Sequence, residues 1–280
     1  MSPTLLAADL VVGASLALSG AALQSVLCNP LAEPYILGLV GGASLGVAVV
    51  FSLGLAAVSA FLIPVAAFLG ACLSLALVCL VSVLAARRLG QRALSGGTVI
   101  VAGFVAGSFT KSLPMLVLSY ATPEQSAAAR KWRWGDLQAV QVGPLAVSCV
   151  ALAVSLLVLM ALNRKLDTLV LGENVARSLG VDVRRTQLLA LGAASLATAI
   201  SVALAGAVGF VGLIIPHVVR RLFGAGHRVY LPVSALLGGV FLVLAQGVSH
   251  FLPGSVPLGV VCALSGAPFF LWLLTRRGRA

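Results

Sequence analysis

Nine apolar stretches, most of them near the length of a lipid bilayer, leave this chain little choice of fold. They cover residues 4–27, 36–54, 57–85, 97–120, 143–162, 187–206, 209–223, 231–251 and 257–274, the seventh being short and broken by Gly and Pro. A helix needs about 20 mostly apolar residues to cross the hydrocarbon core. The pattern therefore predicts an all-α, polytopic transmembrane helical bundle, with residues 1–280 forming a single membrane domain. Composition closes off the soluble alternatives: 60% of residues are hydrophobic and 9% charged, against about 25% charged in ordinary soluble domains. A soluble fold of this size could not hide so much apolar surface. A soluble enzyme, a secreted disulfide scaffold and a disordered tail are excluded.

Eighteen Lys and Arg against seven Asp and Glu give a formal charge of +11. These cations fall in short clusters between apolar runs, the pattern that orients membrane proteins and not one that grips nucleic acid. Placing the C-terminus in the cytoplasm puts the clusters at 87–92, 164–185, 220–228 and 276–279 on the inner side, fourteen residues in all. Lys111, Arg130, Lys131 and Arg133 remain outside or within the membrane. The N-terminus then starts outside with only a few residues before the first span. An odd number of spans beginning this way leads to the expectation that a first helix is missing from the chain.

Cys28, Cys72, Cys79, Cys149 and Cys262 show no paired CxxC spacing and read as small buried hydrophobes. His217, His227 and His250 share no ligand spacing, so no metal site is expected. The first 20 residues lack the basic start of a cleavable signal peptide. Small residues recur every four positions at Gly13, Ala17 and Ala21, at Gly38, Gly42 and Gly46, and at Gly103 and Gly107, the spacing that lets helix backbones approach in lipid. Gly13 to Ala17 faintly echoes Gly192 to Ala197, as an inverted repeat would, though chance explains it equally well.

Three interruptions carry more than connection. In Asn29-Pro30-Leu31-Ala32-Glu33-Pro34 two prolines stop one helix and start the next. That explains the prolines but not the Asn, Leu and Glu. Within the stretch 163–186, Val175 and Leu179 stand at i, i+4 between Gly172 and Gly180, so a short helix there shows one small apolar face. Such a face meets either a partner or the bilayer surface. Gly206, Gly209, Gly212 and Pro216 make an unbroken helix doubtful over 206–217, and irregular backbone at membrane depth packs on protein or lines a cavity. His217 in this stretch reads as a hydrogen-bonded structural histidine.

In this order, the three stretches resemble the permease subunit of bacterial ABC importers for iron–siderophores, haem and cobalamin, the FecCD-type (type II) family. The resemblance runs from about residue 4 to the C-terminus. It is carried by Asn29 to Pro34, by Leu171-Gly172-Glu173 with Ala176 and Leu179-Gly180-Val181, and by Gly206 to His217. His227-Arg228 with Leu231-Pro232, Pro257 to Val260 and Gly266 to Phe270 complete it. It implies a multi-pass protein of the bacterial cytoplasmic (inner) membrane with its C-terminus in the cytoplasm. The implied partners are a second permease (homodimer or pseudo-dimer), two cytoplasmic ABC ATPase subunits and an extracytoplasmic substrate-binding protein. ATP and magnesium would bind the ATPases, with no cofactor in this chain, which has no P-loop.

The resemblance also assigns residues. Gly172, Glu173, Val175, Ala176, Arg177, Leu179, Gly180 and Val181 would form the cytoplasmic coupling loop, two short helices that sit in a cleft of the ATPase. Asn29 and Leu31 would narrow the cytoplasmic end of the pathway, with Ser95, Gly96 and Gly97 at a second constriction. The family's ten helices number one more than the nine runs here. Its outer-face arginines, which dock the binding protein, are absent from Met1-Ser2-Pro3-Thr4. Another of them aligns with His250, and Arg130 and Arg133 either substitute or form a solvated cluster. Lys111 lies in a run that matches a pathway-lining helix. It either attracts an anionic cargo or snorkels to the outer interface. The competing function classes are a membrane-embedded enzyme, for which no HExxH, paired intramembrane Asp or G-x-S-x-G is present, and a passive channel, which a coupling loop disfavours.

Overall fold

The computed structural model describes residues 2–59, 61–89, 96–135, 137, 140–252 and 256–277. The described residues form twelve α-helices and short 3-10 turns, with no strand among them. Each apolar run is helical over most of its length: α1 (Pro3–Val26), α2 (Leu39–Ser52), α3 (Leu62–Leu89), α4 (Gly96–Leu118), α6 (Val142–Ala161), α9 (Val183–Ala205), α10 (Val211–Phe223), α11 (His227–Phe251) and α12 (Leu258–Arg277). Six of these (α1, α3, α4, α6, α9 and α11) are long and apolar enough to cross a membrane. Helix α10 has 13 residues and α2 has 14, because backbone breaks at 206–210 and 28–38 take up the rest of those runs. Three short helices lie between spans: α5 (Pro123–Arg133), α7 (Asn163–Leu169) and α8 (Glu173–Ser178).

Helix α1 is the centre of the bundle, packed against α6, α7, α9, α10 and α11. Its start is fixed locally, with Pro3 at the first turn and the Ser2 side chain accepting from the Leu5 amide at 3.2 Å. It is apolar on nearly every side, as a helix enclosed by others must be. Two glycines set how closely it is enclosed. A Cβ on Gly13 would collide with the Gly238 carbonyl of α11, and one on Gly20 with the Gly212 backbone of α10. Gly42 meets Gly70 in the same way, joining α2 to α3, and Gly38, just before α2, lies close to Gly107 of α4. Gly192, by contrast, has nothing near it, so the echo between 13–17 and 192–197 is not repeated in packing. Of the five cysteines only Cys262 is buried. The other four are exposed, which corrects the expectation that all pack inside.

The chain connections sort the molecule into two ends. The C-terminus of α1, helices α7 and α8, the C-terminus of α10 and the N-terminus of α11 lie at one end, with the cation clusters at 164–185 and 220–228. Helix α5 lies at the other end, where the Trp134 carbonyl accepts from the Gly259 amide at 3.2 Å beside the start of α12.

Candidate functional site

At the cationic end the stretch 163–186 folds as two short helices, of which the sequence pattern disclosed the second. Helix α8 starts after Gly172, whose φ of +112° few other residues adopt. It ends in a Schellman arrangement, with the Gly180 amide donating to the Arg177 carbonyl at 2.9 Å and Val181 to Ala176 at 3.0 Å, Gly180 at φ +78°. Leu171, Val175 and Leu179 are exposed, 66%, 43% and 61%, making an apolar knob that nothing among the described residues covers. Ala176, also of this loop, is fully buried and fastens α8 to the bundle. Glu173 also holds α8 in place, accepting from Gln187 of α9 at 3.1 Å and lying 3.6 Å from exposed Arg177.

The Asn29–Pro34 stretch climbs from this end into the bundle. Cys28 opens it with φ +47°, and its thiol is pushed up by burial and by the Glu173 carboxylate, so it is a poor nucleophile. The Asn29 side chain accepts from the Leu31 amide at 2.9 Å, an Asx turn that explains why Asn stands there. Asn29 and Leu31 are part-buried. Gly96 and Gly97 form the first turn of α4, and Ser95 lies outside the described residues. Glu33 receives its explanation from a partner 177 positions away: its Oε1 accepts from the Phe210 amide at 2.6 Å. Phe210 is the residue before α10 and sits at φ +69°, a strained position for a side chain of that size. A carboxylate thus caps the start of a helix that begins inside the bundle.

The expected break at 206–210 is present, and a second repair accompanies it. Pro216 cannot donate to the carbonyl of Gly212, four residues back. Gln24 of α1 donates to that carbonyl instead at 3.2 Å, while its Oε1 accepts from Tyr230 at 3.3 Å. Arg220 reaches the Tyr230 hydroxyl at 3.2 Å and lies 4.9 Å from its ring. His217 meets Phe269 edge-on at 5.8 Å.

Sequence reading also missed a line of three polar groups. His227 Nδ1 lies 2.6 Å from Asp167 Oδ1, and its Nε2 lies 2.6 Å from Ser25 Oγ. These are the separations of a hydrolase triad. Ser25 is fully buried, however, and its hydroxyl lies 2.8 Å from the Ala21 carbonyl, leaving no room for a substrate. The residues stand 60 and 202 positions from His227, so no spacing could have revealed them. Asp9 was legible as an acid inside a span: it is wholly buried in α1 with neither carboxylate oxygen hydrogen-bonded among the described residues.

Lys111 lies on the exposed face of α4, and its charge acts on Glu33. At the opposite end α5 begins in a capping box, with Thr122 accepting from Gln125 at 3.3 Å and Gln125 returning a bond at 3.0 Å. Glu124 in its first turn is held below the usual carboxylate range by its backbone amide and Thr122. Arg130 and His250 are exposed and Arg133 part-buried, so the expected outer-face residues share one end of the molecule. Among the described residues no group of three His, Cys, Asp or Glu could hold a metal.

Comparison with known proteins agrees with this architecture. The family model described as FecCD transport family matches residues 2–276. The cobalamin import system permease protein BtuC of Halobacterium salinarum is 39% identical over 269 residues, covering 95% of this chain and 70% of its own. A probable iron chelatin transport system permease protein of Helicobacter pylori is 36% identical over 95% of this chain and 78% of its own. A solved inward-facing metal-chelate type ABC transporter superposes with a TM-score of 0.85 at 30% identity, covering 98% of this chain and 85% of that one.

Proposed function

Since the chain belongs to the FecCD transport family, we propose that it is the membrane-spanning permease subunit of an ATP-driven importer, carrying a cobalamin-like or iron-chelate cargo by alternating access. ATP hydrolysis is assigned to separate cytoplasmic ATPase subunits, and the permease works as a dimer fed by an extracytoplasmic binding protein. The observation that carries this reading is the uncovered knob at the cation-rich end, with Val175 and Leu179 between two left-handed glycines and Leu171 just before the first. A rigid apolar surface on a bendable base is what a motor needs to grip, and the cation-rich end is the cytoplasmic one by charge bias. The cargo classes are those in the names of the relatives.

The test is co-purification. Val175→Asp with Leu179→Asp puts two charges into the contact and is expected to lower recovery of the ATPase about 30-fold or more, the worth of one interface hot spot. Insertion of the permease itself should not change, since both side chains already face water. Undiminished recovery would remove α8 as the grip.

The pathway is assigned to the exposed face of α4. Lys111→Ala is expected to slow uptake of a carboxylate- or phosphate-bearing cargo about two- to fivefold, as for one part-screened ion pair. Unchanged uptake and cargo preference would leave Lys111 with Glu33 alone.

A further inference from the structure

We propose that the Asp167–His227–Ser25 line is the strut through which displacement of the cytoplasmic segment reaches the central helix, making His227 a positioning residue for coupling. The inference rests on α8 being the ATPase grip.

The strut joins three elements that share no neighbouring sequence. Asp167 is on α7, which the turn 170–172 links to α8. His227 opens α11, and Ser25 lies in the last turn of α1. Asp167 Oδ1 accepts from the His227 amide at 2.9 Å as well as from Nδ1. Gly226, the residue before α11, has no side chain to cap that helix, so α7 supplies the cap. A cap needs only the amide bond. The imidazole adds a second bond to α7 and carries the connection to α1 through Nε2. The His227 side chain is 2% exposed and Ser25 wholly buried, so water cannot take over the bond to α1, while Asp167 at the outer end of the line is 43% exposed.

Donor counting gives this line two arrangements. The Asp167 carboxylate takes the Nδ1 proton, which leaves Nε2 an acceptor. The single Ser25 proton then serves either Nε2 at 2.6 Å or the Ala21 carbonyl at 2.8 Å. Networks with two discrete arrangements are the kind that transmit displacement between sites. Immediately beyond Ser25 the chain turns into the Asn29–Pro34 stretch, whose Cys28 thiol also touches the Leu169 carbonyl of α7 at 3.5 Å. Movement of α7 therefore has a short route to the loop assigned to the cytoplasmic gate. The contact of Glu173 with Gln187 leads to α9 instead.

Hydrogen exchange in the permease–ATPase complex, with and without a non-hydrolysable ATP analogue, separates the possibilities without knowledge of the cargo. In the wild type the nucleotide is expected to change exchange both at 172–181 and at 27–32. Ser25→Ala and His227→Asn each cut the bond to α1. They should keep the change at 172–181 and reduce the change at 27–32 about fivefold or more, the usual scale of coupling between sites. Because both cuts fall on one link, the double variant should be no worse than the more severe single one. Ser25→Thr, which keeps the hydroxyl, should restore the response at 27–32. If both regions still respond in Ser25→Ala, or if the variants only lower the melting temperature, the strut is overturned while the grip stands. If the wild type shows no nucleotide response at 172–181, the grip fails and the strut with it.

Discussion

Gly20→Val is expected to leave almost no folded protein in the membrane. The Cβ it adds would occupy the space of the Gly212 carbonyl, and all three of the nearest atoms are backbone, so no side chain can turn aside. Gly212 is itself pressed against the Leu16 carbonyl of α1 and the Pro34 ring, so the two backbones stay in contact along this stretch. Overpacking a core costs about 1–3 kcal/mol even where side chains can adjust. Here helix α10 would have to leave α1, taking the Gln24 and Glu33 contacts with it, against a total stability of about 5–15 kcal/mol. Membrane yield and thermal unfolding in detergent would read the loss. Gly192→Val, made where a Cβ meets nothing within 4 Å, is the control and should behave as wild type. Equal yields of the two variants would show that the α1–α10 contact does not organise the bundle.

Glu33→Ala ranks second in expected effect. It removes the acceptor of the Phe210 amide at the start of α10, one of the contacts that hold a strained left-handed residue in place. A hydrogen bond to a charged group contributes about 1.5–3 kcal/mol, and loss of one buried partner exposes the desolvation cost of the other. A loss of about 2–4 kcal/mol in unfolding free energy follows, with uptake falling about tenfold or more as α10 loses its fixed start. Glu33→Gln keeps an oxygen in place and should recover most of the stability. If alanine and glutamine behaved alike, the charge on Lys111 rather than the Phe210 amide would be the reason for an acid there. Melting curves of the three proteins decide this directly.

Much of this was legible because lipid imposes simple rules. Continuous apolar runs became helices, and the glycine and proline cluster at 206–217 marked a break that the structure contains. Residues 172–181 gave away α8 because helical spacing, flanking glycines and an apolar face are all local signals. Helix α5 has no apolar periodicity to betray it, and the resemblance implied two short helices within 172–181, where the structure has α8 alone and sets α7 before Gly172. The roles of Ser25, Gln24, Glu33 and Asp167 were invisible for another reason. Each is defined by a partner 60 to 202 positions away, and a single sequence holds no record of which side chains meet. A six-residue helix has an inner face as well as an outer one, and Ala176, next to Val175, lies on the inner one.

The two glycine contacts of α1 have a mechanical consequence. Where backbone touches backbone there is no cushion of side chains to absorb a change of tilt, so α1, α10 and the middle of α11 must travel as one stiff block. Any cycle of opening has to be accommodated at the joints around that block: the left-handed glycines at 172, 180, 206 and 224, where the chain can swivel without displacing packed neighbours at three of the four. The fourth, Gly206, is wedged against the Trp132 carbonyl, which makes helix α5 the brake on that swivel.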